Sequence, residues 1–99
     1  MMAHRLAPQA RAELDDIWDY ITRESGSTTV ADGVVDSIID RFYLLGQYPR
    51  LGRACDDLRP GLRSYPAGEY VIIYTINGAD VVILRVLHGR RDIGSLIGR

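Results

Sequence analysis

The chain contains no lysine: all twelve of its basic side chains are arginine. An arginine-biased genome accounts for the count, yet every positive charge is then a planar, permanently ionised fork suited to carboxylates and phosphates. Cysteine is nearly absent too. Cys55 stands alone, which excludes an internal disulfide, and its polar surroundings offer no ligand cluster, so no metal is expected. No apolar run approaches the roughly 20 residues that cross a bilayer. The opening Met1-Met2-Ala3-His4-Arg5 lacks the apolar stretch of a signal peptide, so a cytoplasmic location and no membrane partner are expected. A nucleotide-binding glycine loop and a hydrolase triad are missing as well, and no cofactor is expected. The formal net charge of -1 excludes a uniformly basic nucleic-acid binder.

What is present describes one globular domain over residues 1–99, near the small end of what buries its own core. Most acids fall in residues 13–40, whereas arginines crowd residues 41–63 and 85–99. Residues 4–7 read as a short strand, and Pro8 suits the first turn of a helix although Ala7 offers no cap. Ala10, Leu14, Ile17, Trp18 and Ile21 recur at helical spacing, and Gly26 stops that helix. Thr29 with Asp32 reads as a capping box opening a second helix, whose stripe is Ala31, Val34, Val35, Ile38, Phe42 and Leu45. Gly46 and Pro49 end it, and Asp32, Asp36 and Asp40 form an acidic ridge. The two stripes pair the helices as an antiparallel hairpin. Residues 48–61 read as a loop and 62–65 as a strand. Residues 70–76 and 80–87 are β-branched and aromatic runs joined around Asn77-Gly78, a hairpin signal. The fold class is therefore α+β: an N-terminal strand and a helical hairpin on a small, mostly antiparallel sheet. Both late strands are apolar at nearly every position, so both sheet faces need cover. The helices cover one. A partner, or the long loop with the C-terminal tail, covers the other.

Arg85 and His88 end the last strand three residues apart, on opposite faces if the strand is regular there. His88 before Gly89 reads as bonding the turn, and Arg85 as pairing with an acid such as Glu69 or Asp92. Arg90 and Arg91 suit a phosphate or the acidic face of a protein. Arg50 and Arg53 either bind a partner or tie their loop to the acidic ridge. Tyr65, Tyr70 and Tyr74 have the chemistry to stack on bases, but Tyr70 and Tyr74 share parity with Ile72 and Ile76, which favours core packing.

The run Tyr48-Pro49-Arg50-Leu51-Gly52-Arg53, then Arg59-Pro60-Gly61-Leu62-Arg63, then Val86-Leu87-His88-Gly89-Arg90-Arg91-Asp92 resembles the ParE branch of the RelE/ParE toxins of bacterial type II toxin–antitoxin systems. Arg5-Leu6-Ala7-Pro8-Gln9-Ala10 leading into Leu14-Asp15-Asp16-Ile17-Trp18-Asp19-Tyr20-Ile21 resembles the same family's opening, so the likeness spans nearly the whole chain. It implies a toxin that inhibits DNA gyrase without catalysis of its own and is neutralised by a ParD-like or similar small DNA-binding antitoxin, in a hetero-oligomeric complex. It implies target contacts at Arg85, His88, Arg90 and Arg91, and antitoxin contacts at Arg63, Tyr70 and Tyr74. The RelE branch implies instead a ribosome-dependent, metal-free mRNA endonuclease using Arg63, Arg85, His88 and Arg91. Against that branch, Val71 stands where such nucleases carry an arginine, and no tyrosine follows Tyr74. A third reading is a decayed toxin that only binds antitoxin.

Overall fold

The computed structural model of the chain describes residues 3–90. Strand β1 (Ala3–Leu6) leads into helix α1 (Pro8–Ser25). Pro8 occupies the first turn, where a missing N–H costs nothing, and Ala7 gives no side-chain cap, as the sequence suggests. Gly26 closes α1 in the left-handed region at φ 70°. Helix α2 (Thr28–Gln47) corrects the reading of its start: the cap is Ser27, whose hydroxyl accepts the Val30 N–H, and no capping box forms at Thr29. Asp32 is engaged elsewhere, accepting the Trp18 indole N–H at 2.8 Å and so tying the two helices together. Gly46 does not stop α2 either. It is a buried position inside the helix, which runs on to Gln47; Pro49, which disfavours helical backbone at the residue before it, is the terminator.

The remaining strands are β2 (Arg53–Ala54), β3 (Arg63–Ala67), β4 (Tyr70–Asn77) and β5 (Asp80–His88). They form one sheet in the order β1-β5-β4-β3-β2. β1 runs parallel to β5 and every other pairing is antiparallel. The two-residue β2 lies inside what reads as loop and forms a very short edge, which leaves little free backbone to template aggregation. Asn77 pairs with Asp80, so the hairpin turns on Gly78-Ala79, one residue later than the Asn-Gly signal suggests. Only Gly78 needs positive φ, at 60°.

A bulge explains why β5 is apolar at successive positions. Tyr74 pairs with Ile83 and Ile73 with Arg85, leaving Leu84 as an extra residue. Side-chain parity therefore flips there. Val81, Ile83 and Val86 join the helix-side core with Leu14, Ile17, Ile38, Phe42, Leu45, Ile72 and Tyr74. Ile73 and Leu87 belong to a second cluster with Cys55 and Leu62, against which Leu58, Val71 and Leu84 pack. The far face of the sheet is thus covered in part by the chain's own loop, residues 55–62. Of the loop and tail weighed against a partner as the cover, the loop supplies part of it, and the tail lies outside the described residues. No helix among the described residues is long and apolar enough to cross a membrane.

Candidate functional site

The bulge decides what the end of β5 can do. It precedes both Arg85 and His88, so pairing is regular between them and their side chains leave opposite faces. Arg85 meets Glu13 of α1: Nη2 lies 2.7 Å and Nε 2.8 Å from Oε2. The other carboxylate oxygen accepts the Val86 backbone N–H at 2.7 Å. β1 pairs with β5 only as far as Ile83, so this glutamate satisfies the sheet edge that β1 leaves open. Arg85 thus has an internal partner in Glu13 rather than Glu69, and Asp92 lies outside the described residues. A forked, charge-assisted contact of this kind fixes an element against its neighbour.

His88 turns toward the helices, edge-on to the Tyr70 ring at 5.5 Å. Its Nε2 is 3.4 Å from Glu69 and its Nδ1 accepts the Arg90 N–H at 3.2 Å. Glu69 belongs to the β3–β4 turn, whose carbonyl accepts the Gly89 N–H at 2.8 Å, so turn and strand exit are laced together. Both imidazole nitrogens are therefore engaged by the protein itself, as the turn-bonding reading expects.

Arg63 sits at the opposite end of the sheet from His88, and it is one register position from Arg85 across β4 but on the other face. It pairs with Tyr74, whereas Tyr70 pairs with His88; four residues along a strand is ~13 Å. Its Nη1 donates to the Gly52 carbonyl at 3.1 Å. Arg63, Arg85 and His88 consequently do not converge, which a metal-free nuclease centre requires of its base, acid and cation. Arg91 lies outside the described residues, and Arg90 is exposed. Tyr74 is fully buried, which removes it from any list of surface contacts. Its hydroxyl donates to the Pro49 carbonyl at 2.7 Å and accepts the Gly52 N–H at 2.9 Å. Burial pushes its pKa up, against the opposing pull of the Gly52 N–H and the Arg63 charge. Tyr70 is also a core residue, but it borders open space.

That space is a groove of about 640 Å³. Its walls are Tyr20 and Ile21 of α1, Val30, Val34 and Ile38 of α2, and the β3–β4 turn with Tyr70 and His88. Val30 and Tyr20 are among the most exposed large apolar side chains of the fold. Gly33 of α2 also lines the groove, with nothing within 4 Å of where its Cβ would be. Most of the lining is apolar, and Ser37, Glu69 and His88 add polar groups. Sequence reading missed Tyr20, Val30 and Gly33. The available signals were two apolar residues outside the packed stripes and a glycine in a helix interior, where it costs about 1 kcal/mol.

A helical hairpin packed on a small mixed sheet is the α+β architecture that the resemblance implies. The comparisons make this specific. Residues 5–93 match the family of the ParE toxin of the type II toxin–antitoxin system, parDE. Toxin ParE3 of Caulobacter vibrioides is 38% identical over 87 residues, 88% of this chain and 86% of its own length. Toxin ParE1 of Mycobacterium tuberculosis is 35% identical over 89 residues, 89% of this chain and 90% of its own. A chain from the chromosomal ParDE TA system of P. aeruginosa superposes with a TM-score of 0.78, at 24% identity, over 89% of this chain and 96% of that one, which bears on the fold alone. The protein belongs to the ParE toxin family of type II toxin–antitoxin systems.

Proposed function

We propose that this toxin acts in the cytoplasm on DNA gyrase, without covalent chemistry of its own, and that a cognate antitoxin restrains it by filling the groove between the helical hairpin and the β3–β4 turn. The observation that carries the first part is the scatter of Arg63, Arg85 and His88. The cations and the imidazole that RNA cleavage would need are spent on internal contacts at separate places. The groove supports the second part: an apolar trough of this size accepts the anchoring side chains of a peptide segment. On this reading the antitoxin lies on the helix side of the sheet rather than on the far face that the apolar strands leave open to a partner. Tyr70 stays in it, while Arg63 and Tyr74 leave it. Among the residues expected to meet the target, Arg90 and Arg91 retain that role, and Arg85 becomes structural.

The deciding experiment combines purified protein, gyrase, relaxed plasmid and ATP, scored for lost supercoiling and for linear DNA after denaturing the complex. Inhibition with linear DNA is expected. Unimpaired supercoiling by protein that still arrests growth overturns the gyrase reading. For the antitoxin, Val30→Glu places a charge in the groove and is expected to weaken the complex at least tenfold. Unchanged affinity places the antitoxin elsewhere.

A further inference from the structure

The arginine-bearing run Tyr48-Pro49-Arg50-Leu51-Gly52-Arg53 has no part in the groove, yet it is firmly fastened. Four contacts fix it. Tyr74 bridges the Pro49 carbonyl and the Gly52 N–H, Arg63 holds the Gly52 carbonyl, and the Leu51 N–H closes a turn on the Tyr48 carbonyl at 3.0 Å. Gly52 has no room for a side chain: a Cβ would lie 2.5 Å from the Tyr74 hydroxyl, 2.7 Å from its ring and 2.8 Å from the Ser64 carbonyl. A buried phenol is thus committed to holding surface backbone in one shape.

What the loop displays is apolar and cationic. Tyr48 is 61% exposed and Leu51 46%, with Tyr43 beside the end of α2 at 65%. Arg50 and Arg53 are exposed and in no ion pair among the described residues, so the alternative of a tie to the acidic ridge is not what forms. Tyrosine and arginine on a preshaped support are the residues that dominate protein–protein contacts, because their ordering entropy is already spent. Acids argue against a nucleic-acid strand as the occupant. Asp36 and Asp40 precede Tyr43 by seven and three residues, on its own side of α2, and Asp56 and Asp57 follow Arg53 in the same loop; all four are exposed. A phosphate backbone would meet them at every approach.

We propose that residues 48–53 form a preshaped contact surface for the toxin's protein target, with Tyr74 as the positioning residue that holds it. This rests on the reading that the chain arrests growth by binding a protein. The fitting partner surface offers an apolar recess for Leu51 and Tyr48 and carboxylates for Arg50 and Arg53. The loop lies at the Tyr74 end of the sheet and the groove at the Tyr70 end, so antitoxin affinity supplies a readout that loop changes should spare.

The test uses the full chain. Arg50→Ala with Leu51→Ala removes exposed side chains only, and Tyr74→Phe keeps the core ring while freeing the loop. Each is measured for growth arrest on induction, gyrase inhibition, antitoxin affinity and melting temperature. The tip variant is expected to lose about tenfold or more in gyrase inhibition, and growth arrest with it, while antitoxin affinity stays within about twofold and the melting temperature is unchanged. Tyr74→Phe is expected to lose target inhibition with antitoxin affinity retained. Full growth arrest by the tip variant overturns the proposal, whatever the target. Loss of binding to a DNA duplex, with gyrase binding retained, overturns the choice of a protein surface. If the wild type leaves gyrase untouched yet arrests growth, the gyrase reading falls, and growth arrest by the tip variant alone decides the loop.

Discussion

The two faces of the sheet are closed by different means. On the helix side, Leu14, Ile17, Ile38, Phe42 and Leu45 press on Ile72, Tyr74, Val81 and Ile83. On the far side, Cys55, Leu58 and Leu62 lie on Ile73 and Leu87. The helices supply their own backbone hydrogen bonds, so their packing tolerates small errors. The loop closes on itself with irregular backbone bonds, the Leu58 and Arg59 N–H groups sharing the Cys55 carbonyl at 3.0 and 3.3 Å. It depends on Cys55 and Leu62 pairing through backbone at 2.8 Å, on Asp56 accepting the Gly61 N–H at 2.8 Å, and on Thr75 donating to the Gly61 carbonyl at 2.9 Å. Burial supplies most of the stability on the first face, and specific polar contacts set the shape of the second.

Truncation should show that inequality most strongly. Phe42→Ala empties a fully buried site and is expected to cost about 3–5 kcal/mol in urea unfolding. Leu62→Ala, on the thinner loop side, is expected to cost about 2 kcal/mol because the loop can settle into the space. Equal losses would mean that the loop face is as rigidly packed as the helix face.

A smaller effect tests the seam between them. Glu13→Ala leaves the Arg85 charge and the Val86 N–H without their partner and is expected to cost about 2 kcal/mol, discounted for the partial exposure of the pair. Arg85→Met, which removes the charge and keeps the stem, is expected to cost less than half as much. Activity against the target should survive Arg85→Met if the residue is structural; its loss would return Arg85 to the target surface.

The parts of this architecture that follow local rules were legible in the sequence. Pro8, Gly26, the two apolar stripes and the runs that became β4 and β5 each encode their element within a few residues. What escaped depends on distant partners. Asp32 satisfies a capping pattern, but the Trp18 indole claims it from the neighbouring helix. Arg85 finds Glu13, 72 residues away in sequence. The Leu84 bulge sets which side chains face the groove, and nothing in the spacing of β5 announces it. The hydroxyl of Tyr74 was hidden for the same reason: parity placed the ring in the core correctly and said nothing of what its oxygen would hold.

The proposed antitoxin groove offers a way to separate stability from function within the helix side itself. Gly33→Ala adds a methyl where nothing lies within 4 Å, and alanine is favoured over glycine in a helix by about 0.5–1 kcal/mol. The variant should therefore raise the melting temperature of the free protein. The same methyl narrows the groove, so antitoxin affinity is expected to fall. A gain in both would show that the occupant does not approach α2 closely at this point.

The smallest expected effect is a pH dependence at the outer end of the helix face. His4 on β1 packs against Phe42 and Tyr43, with ring centroids 5.7 and 4.7 Å apart. Burial disfavours the imidazolium and lowers its pKa from 6.5. Above that value both folded and unfolded chains hold a neutral ring, and His4 contributes its full share. As pH falls below it, the unfolded chain takes up a proton that the folded one resists, so stability drops until the folded pKa is passed. Urea midpoints compared between pH 7 and about 5.5 should therefore decline in the wild type, and the decline should shrink in His4→Leu, which keeps apolar contact with both rings without titrating. An identical slope in the variant would assign the acid sensitivity to the rest of the molecule and leave His4 as packing alone.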